Sequence, residues 1–376
     1  MRIDETILSY LDEITQIRRS LHRIPELALK EHKTQKFILK YLSALGLKPE
    51  KVAGTGIKQV FLTPGAKKTI GFRADIDGLT MQELNETDYA SGHEGLMHAC
   101  GHDGHTSILL MLAKYLTQNR DKLSVNVVLL FQPGEELLGG AKLMIEAECL
   151  KNPDIDVLYG LHLWPEIEIG KVGLREGPTM AATSEINVNI TGKSAHGASP
   201  QKGIDAIVVA AQFIQMVQTI VTRSVNPYEK ALITIGKIRG GESRNILPER
   251  VKMQGTVRTF KESVYIGIRE RILDILQGLE ISTGVKTKFT EVMRYPVLDN
   301  PMDLNEELVE RLEYEDIVFM NEMMAAEDLS FYQQQIPALF FFLGIGTENS
   351  LHSNLFDFDE RALLGGLEIY RRILFG

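Results

Sequence analysis

The chain has 376 residues, more than one hydrophobic core usually serves, so we expect two domains. A hydrophobic fraction of 44% and a charged fraction of 24% are typical of a soluble globular protein. The net charge of −9 argues against a nucleic-acid partner. We expect neither a signal peptide nor a membrane segment, because the first predicted helix is charged throughout and no 18-residue apolar run occurs. Two cysteines cannot build a disulfide framework, so we expect a reducing, cytoplasmic location.

The first part of the chain alternates predicted helices with apolar runs. Amphipathic helices are predicted over 5–22 and 34–45. Three apolar, β-branched runs follow, "TIGFRADIDG", "SVNVVLLFQPGEE" and "VLYGLHLWP", with helical segments at 106–118 and 138–149 between them. Strands that alternate with helices predict an α/β fold with a mostly parallel, helix-covered sheet.

The middle of the chain has a different pattern. Its elements follow the order β-α-β-β-α-β, which is typical of a compact α+β unit. They are predicted at 184–193, 204–224, 231–240, 250–260, 262–282 and 285–292. We therefore predict an inserted domain over 183–290, within a larger discontinuous domain of 1–182 and 291–376. The larger domain closes with a helix near 303–313, a strand at 338–346 and a helix at 359–374.

Polar residues stand where the predicted strands end. Asp75 and Asp77 end the first apolar run, Glu135 and Glu136 end the second, and His162 ends the third; His352 follows the strand at 338–346. The segment "CGHDGH" occupies the loop before the helix at 106. Because ligands bind at the carboxyl ends of strands in open α/β sheets, we expect these side chains to converge on one rim.

The residue types on this rim indicate a metal centre. Cys100 and His102 are separated by one residue, and a thiolate with an imidazole suits zinc or another late first-row divalent ion. Glu136, His162 and His352 bring the set to five ligands, too many for one tetrahedral zinc. Five ligands fit two ions about 3.5–4 Å apart, bridged by a carboxylate, a thiolate or water.

The remaining carboxylates suit supporting roles. With one glutamate of the pair on the metal, the other is placed to take a proton from the attacking water. Asp75 is expected to orient a ligand histidine and so select its tautomer. A lone cysteine is more often core filler and a Glu-Glu pair more often solvent-exposed, so these assignments depend on the residues occurring together. The G-x-S-x-G, Walker A and G-x-G-x-x-G motifs do not occur.

Several segments resemble a known family. In chain order they are "LHRIPEL", "RADIDGL", "MHACGHDGHT", "FQPGEE", "GLHLWP", "GKSAHGASP", "RNILPERV", "GTVRTF" and "LHSNLFDFDE". Across residues 16–370 the sequence resembles the M20-type metallopeptidase-like amidohydrolases. It is most similar to the branch that includes aminoacylases, hippurate hydrolases, auxin-conjugate hydrolases and N-acetyldiaminopimelate deacetylases. Three departures, Thr80, Gly134 and the block "AAEDLSF" (325–331), affect the expected substrate pocket and no ligand.

The resemblance implies a catalytic domain with two divalent metal ions (zinc, manganese, cobalt or nickel) and an inserted lid domain that forms a homodimer. It gives Glu135 the role of general base and Asp75 a supporting role. It also implies that His196 of the lid polarises the scissile carbonyl, usually across the dimer, and that Asn245 and Arg258 hold polar groups of the substrate. The implied metal ligands are Cys100, His102, Glu136, His162 and His352.

We therefore expect a metal-dependent hydrolase that cleaves the amide bond of an N-acyl amino acid. Within this class the segments "RSVNPYEKALITIGKI" and "HEGLMHACGHD" favour an N-acetyldiaminopimelate deacetylase. A general aminoacylase, a hippurate-type hydrolase and a small-peptide hydrolase remain alternatives. Two hypotheses from other classes are a metal-binding protein without catalysis and a structural dimer whose lid mediates partner contacts.

Overall fold

The computed structural model describes residues 1–376, apart from the side chains of residues 137 and 138. The chain forms two compact units. The large unit contains Met1–Thr179, Asp299–Asn321 and Glu327–Gly376, and the small unit contains Met180–Leu298 and Glu322–Ala326.

The helices, in chain order, are α1 (Glu5–Leu8), α2 (Leu11–His22), α3 (His32–Ala44), α4 (His102–Gln118), α5 (Glu135–Leu138), α6 (Gly140–Glu146), α7 (Ala206–Arg223), α8 (Glu262–Thr283), α9 (Met302–Glu310), α10 (Ser330–Gln333) and α11 (Arg361–Phe375). The strands are β1 (Glu50–Val52), β2 (Gly56–Phe61), β3 (Thr69–Asp75), β4 (Leu79–Thr80), β5 (Leu96–Met97), β6 (Asn126–Gln132), β7 (Val157–Trp164), β8 (Val172–Leu174), β9 (Gly177–Met180), β10 (Ala182–Thr191), β11 (Ala195–His196), β12 (Ala231–Gly240), β13 (Ile246–Leu247), β14 (Arg250–Thr259), β15 (Lys286–Tyr295), β16 (Leu298–Asn300), β17 (Ile317–Phe319) and β18 (Ala338–Gly344).

An eight-stranded sheet forms the centre of the large unit. Its strand order is β1-β2-β6-β3-β7-β18-β8-β17, and the four central strands β6, β3, β7 and β18 are parallel to one another. Strands β3 and β18 are buried along their whole length, as expected for strands covered on both faces. The mostly parallel, helix-covered sheet predicted from the sequence is therefore present.

The predicted helix at 106–118 begins earlier than expected. Helix α4 starts at His102, because Gly101 has the left-handed backbone (φ 83°) that turns the chain into the helix. The first helical turn thus contains His102, Asp103 and His105 instead of a loop. Two other predicted helices are each divided, 5–22 at residues 9–10 and 138–149 at Gly139, where φ is also positive.

The small unit is a four-stranded antiparallel sheet with two helices. The order of elements is β10, α7, β12, β14, α8 and β15, and the strand order in the sheet is β12-β14-β10-β15. Alternate residues of β10, such as Ile186, Val188 and Ile190, are buried in a core shared with α7 and α8. A separate two-stranded ribbon pairs β11 with β13.

Candidate metal centre

Two neighbouring strands end at the same level in the large unit. Asp75, the last residue of β3, is paired in register with Gln132, the last residue of β6. After β6 the chain turns at Gly134, whose φ of 67° favours glycine, and continues directly into Glu135 and Glu136. Parallel register therefore carries both acidic segments to one edge of the sheet.

The five predicted metal ligands lie close together. The Cys100 Sγ atom is 3.5 Å from His162 Nε2 and 3.2 Å from His352 Nε2. The Glu136 Oε1 atom is 3.3 Å from His352 Nε2 and 3.8 Å from His102 Nε2. Two groups of three donors result, Cys100–His102–His162 and Cys100–Glu136–His352, and within each the donor atoms lie within 4.8 Å of one another.

Hydrogen bonds among the five donors do not satisfy all of them, whereas a divalent metal would. The Nε2 atom of His102 is buried and has no hydrogen-bond partner among the described residues. An unpaired polar atom is costly to bury, and a cation with a free coordination position would satisfy it. Sulfur, imidazole nitrogen and carboxylate oxygen are together the donors that zinc and neighbouring divalent ions accept.

Hydrogen bonds on the far side of two rings direct their Nε2 atoms toward this group. The Nδ1 atom of His162 donates to the Leu163 carbonyl oxygen at 2.7 Å, and Nδ1 of His102 donates to the Asp77 carbonyl oxygen at 3.0 Å. A carbonyl oxygen only accepts, so each Nδ1 carries the hydrogen. When each ring is neutral, its lone pair is therefore on Nε2, the atom that faces Cys100 in His162 and Glu136 in His102. Burial lowers the pKa of His102, but the carboxylates of Asp75 and Asp77 outweigh it and raise the pKa to about 10.

Asp77 supports two of the predicted ligands at once. Its carboxylate oxygen Oδ1 is 3.2 Å from His102 Nδ1, and its Oδ2 accepts the backbone N–H of Glu136 at 3.1 Å. The sequence analysis expected Asp75 to orient a ligand histidine, but the structure places Asp77 against His102. Asp75 contacts Arg73 at 2.8 Å and His105 Nδ1 at 2.6 Å, and its Oδ2 lies 3.8 Å from His102 Nε2, on the side of that ring opposite to Asp77.

His105 is close to the centre but is fully bonded within the protein. Its Nδ1 donates to Asp75, and its Nε2 accepts the backbone N–H of Leu163 at 2.9 Å. No lone pair is left for a metal. This arrangement explains why one histidine of "CGHDGH" faces the donor group and the other does not, which residue types alone could not decide.

A buried network that the sequence analysis missed lies beside the centre. Arg73 is fully buried and contacts Asp75, Glu327 Oε1 at 3.0 Å and Asp328 Oδ1 at 2.6 Å. Burial raises the pKa of Glu327 to about 8 although Arg73 opposes the shift. The sequence signals were an arginine inside the apolar run "TIGFRADI" and two adjacent acids in "AAEDLSF", because a buried cation requires paired anions.

Glu135 lies between this network and the donor group. Its carboxylate is within 4.8 Å of donor atoms of His102 and Glu136, and also of Glu327 and Asp328. Burial, together with the negative charges of Glu327 and Glu136, raises the pKa of Glu135 well above its ordinary value. A carboxylate in such surroundings has a high affinity for a proton, as a general base requires.

A second buried network fixes the first turn of α4. The carboxylate of Asp103 accepts from Arg18 Nε at 2.9 Å and from His22 Nδ1 at 2.7 Å. His22 Nε2 is 3.2 Å from Glu83 Oε1. Burial lowers the pKa of His22, but the carboxylates of Asp103 and Glu83 outweigh it, so the pKa is raised overall. The turn that carries His102 is thereby anchored to α2.

The residues predicted in the small unit fall at two separate places. His196 ends β11 and Asn245 directly precedes β13; both are exposed, and the Gly197 N–H donates to the Asn245 carbonyl oxygen at 2.7 Å. Arg258 is half-buried on β14, paired with Thr183, and its guanidinium donates to the Met324 carbonyl oxygen. Strand β10 ends at Thr191, from which the chain continues to His196. Thr191 is eight residues from Thr183, the partner of Arg258, which is a distance of about 27 Å along the strand.

Comparison with known proteins identifies the family. Residues 71–375 match the peptidase family M20/M25/M40. The chain belongs to this family. It is 38% identical over 346 residues to the N-acetyldiaminopimelate deacetylase of Priestia megaterium, covering 91% of this chain and 92% of that protein. The family and this relative show a metal-dependent hydrolase that acts on amide bonds, which confirms the resemblance and the reaction class predicted from the sequence.

Solved structures of the family share the fold. A protein of methicillin resistant Staphylococcus aureus superposes with a TM-score of 0.92 at 31% identity, covering 99% of this chain and 97% of the other. A dinuclear metal binding peptidase of the M20 family from Bacillus subtilis superposes with a TM-score of 0.85 at 29% identity, covering 98% of both chains. The α/β fold class predicted from the sequence is confirmed.

Proposed function

We propose that the protein removes the acyl group from an N-acyl amino acid, with N-acetyldiaminopimelate as the first candidate substrate. The observation that carries this proposal is the convergence of five donors, Cys100 among them, with Glu135 beside them. The name of the Priestia megaterium relative supports the acetyl group and the diaminopimelate moiety. A general aminoacylase is the second candidate, because this reaction class requires the same donors.

We assign the metal ligands to the two groups of three donors. Cys100, His102 and His162 would hold one divalent ion, and Cys100, Glu136 and His352 would hold the other. Thiolate and imidazole donors favour zinc, with manganese, cobalt and nickel as alternatives. When bound, such ions polarise an amide carbonyl and make water acidic enough to attack it near neutral pH.

Glu135 performs the proton transfers in this proposal. Its carboxylate takes a proton from the attacking water and returns it to the amide nitrogen as the C–N bond breaks, so that the products are a carboxylate and a free amine. The raised pKa of Glu135 suits both steps, because the carboxyl must hold the proton before it releases it. Asp77 keeps His102 and the Glu136 backbone in place during these steps.

The small unit supplies substrate contacts from two protomers in this proposal. His196 stabilises the developing negative charge on the carbonyl oxygen, Asn245 holds a polar group of the substrate, and Arg258 pairs with its α-carboxylate. Within one protomer, the end of β10 that leads to His196 is about 27 Å along the strand from the partner of Arg258. This distance is longer than one small substrate. A homodimer removes this conflict, because one protomer provides Arg258 and its partner provides the histidine and asparagine.

The outer face of α7 and the edge strand β12 form the proposed dimer surface. Ile207, Val208 and Met216 of α7 are 45%, 53% and 41% exposed, and α7 has no charged residue before Arg223. Helix α8, by contrast, exposes Glu270, Arg271 and Asp274. An uncharged helix beside an unpaired strand edge suits association with a second copy.

Helix α7 is also long and apolar enough, by length and composition, to cross a membrane. Core helices of soluble proteins pass the same test, and the inner side of α7 packs into the core of the small unit. We therefore assign its outer face to a protein contact and place the protein in the cytoplasm. The free thiols of Cys100 and Cys149 are consistent with a reducing compartment.

A hydrolysis screen tests the proposed function. Protein stripped of metal is supplied with zinc, manganese, cobalt or nickel and incubated with N-acetyl, N-succinyl and N-benzoyl amino acids, N-acetyldiaminopimelate included. We expect metal-dependent release of acetate with the highest kcat/KM for N-acetyldiaminopimelate. A higher kcat/KM for a simple N-acetyl amino acid would favour the general aminoacylase, and no hydrolysis with any ion would refute both.

A further inference from the structure

The sheet of the small unit has one uncovered face, and this face is strongly basic over part of its area. One residue from each of the four strands stands in register in a single row across it. The row consists of Arg239, Lys252, Asn189 and Lys288. The next row consists of Lys237, Gln254, Asn187 and Thr290. We call the surface formed by Lys237, Arg239, Lys252 and Lys288 the basic face.

Neither of these two rows contains an acid; Glu185, two residues before Asn187 on β10, lies beyond the second row, in a neighbouring depression that Lys237 also lines. Its four cations are exposed, and across the described side chains they form no ion pair and no side-chain hydrogen bond. Arg239 and Lys252 are directly opposite on neighbouring strands, an arrangement of like charges that destabilises a sheet. The chain as a whole has a net charge of −9, so this local excess of cations runs against the overall composition.

A shallow depression lies within the basic face. Its volume is about 320 Å³, at the lower end of the range for small-molecule sites. Eight residues line it, and none has a carboxylate. They are Asn187, Asn189, Lys237, Arg239, Lys252, Met253, Gln254 and Thr290. Three cations thus surround a space whose other polar groups are amides and a hydroxyl, which can both donate and accept hydrogen bonds.

We propose that the basic face binds a small anion with two phosphate groups. Lys237 and Arg239 are two residues apart on one face of β12, about 7 Å, and Arg239 and Lys252 are about 5 Å apart on paired strands. A guanidinium can bind one phosphate through two N–H groups while a lysine ammonium neutralises the second. The amides of Asn189 and Gln254 are placed to bind the part of the molecule that joins the phosphates.

The overall charge favours a small anion over a polymer. The row of Arg239, Lys252, Asn189 and Lys288 spans four strands, about 14 Å, which is slightly less than one Debye length of about 8 Å on each side of its centre. Arg250 and Lys286, exposed in the following row, make the cluster of cations about 14 Å long along the strands as well. A nucleic acid or an acidic protein would extend past the basic face over a molecule with a net charge of −9 and be repelled there. A compact anion interacts only with the local cations. This site is independent of the proposed hydrolytic function.

Isothermal titration calorimetry on the full, metal-loaded chain tests the proposal. Fructose 1,6-bisphosphate serves as the two-phosphate probe, inorganic phosphate as the one-phosphate probe, and a short DNA duplex and hexaglutamate as polymeric anions. Bound metal is measured before and after titration to exclude extraction by the probe. We expect one bisphosphate per chain, an affinity that falls with added salt, and binding of inorganic phosphate at least about tenfold weaker.

Two double variants distinguish binding at the basic face from an effect of the total charge of the protein. R239Q/K252Q should weaken bisphosphate binding by about tenfold or more, whereas K67Q/K68Q, which removes the same charge from an exposed loop of the large unit, should leave it unchanged. K237Q/K288Q provides a second test if the first variant folds poorly, and hydrolysis without the probe reports folding. Equal bisphosphate affinity in wild type and folded variants, tighter binding of DNA or hexaglutamate, or no binding of bisphosphate would each overturn the proposal.

Discussion

In the large unit most polar residues of the candidate metal centre are buried and hydrogen-bonded, with His352 (side chain 52% exposed) as the exception, whereas His196 and Asn245 of the small unit are exposed. Asp75, Asp77 and His102 are at most 1% exposed and each contacts another polar group of the same unit. His196 ends strand β11 and Asn245 directly precedes β13. Buried polar groups require partners in the same fold, so the large unit specifies its own geometry. Exposed side chains acquire a precise position only when they contact a substrate or a second protomer.

The largest expected effect concerns Glu135. Glu135→Gln keeps the size of the side chain but removes the proton acceptor, so kcat should fall by about 10³ to 10⁴. Metal content and molecular mass in solution should not change, because Glu135 is not assigned as a ligand. Turnover comparable to that of the wild type, measured with matched metal content, would remove the proposed mechanism. Glu166→Gln, at an exposed position in a loop, is the control.

The next effect tests the small unit. His196→Ala should lower kcat by about 10² to 10³ if the imidazole stabilises the carbonyl oxygen across the dimer. Mixing this variant with Glu135→Gln protein, under conditions that exchange subunits, should then restore activity, because one mixed site contains both wild-type residues. If the histidine acts within its own protomer, each mixed dimer still contains a defect at both sites and no activity returns.

A smaller effect is expected at Asp77. Asp77→Asn weakens the acceptor for His102 Nδ1 and for the Glu136 backbone, and the loss of such a contact commonly costs about 10- to 100-fold in metal affinity. Competition with a chromogenic chelator measures the change, with the exposed Asp121→Asn as control. Metal affinity equal to the control would show that the two ligands are held without this carboxylate.

The smallest effect is a pH-dependent change in stability. His22 has a raised pKa in the folded state, so its contacts with Asp103 and Glu83 stabilise the fold most at pH below its ordinary pKa of about 6.5. This contribution is lost as pH rises through the folded-state pKa. His22→Gln should therefore lower the free energy of unfolding by about 1.5–3 kcal/mol at pH 6 and by less at pH 8.

Urea unfolding of wild type and His22→Gln at both pH values measures this difference. The exposed His32→Gln should show no comparable change and serves as the control. A destabilisation by His22→Gln that is equal at pH 6 and pH 8, or greater at pH 8, would show that the buried ring is not stabilised as a cation.

The sequence by itself determined the alternation of strands and helices, the order of elements in the small unit and the types of donor at the strand ends. These properties depend on local patterns: β-branched runs, glycine turns and short motifs such as "CGHDGH". Strand β12 covers the predicted 231–240, and the five donors include no residue type foreign to a divalent metal site. Local patterns could not place the start of α4 at His102, because a left-handed Gly101 is visible only in the folded backbone.

Only the tertiary structure decided which residues are partners. In the folded chain Nδ1 of His102 contacts Asp77 and Nδ1 of His105 contacts Asp75. Arg73 contacts Glu327 and Asp328, which are more than 250 residues away in the sequence. Such pairings are set by the packing of distant segments and by the cost of an unpaired buried charge, and neither is encoded in residue spacing. For the same reason the basic face emerged only when four strands, each with an unremarkable lysine, arginine or asparagine, came into register.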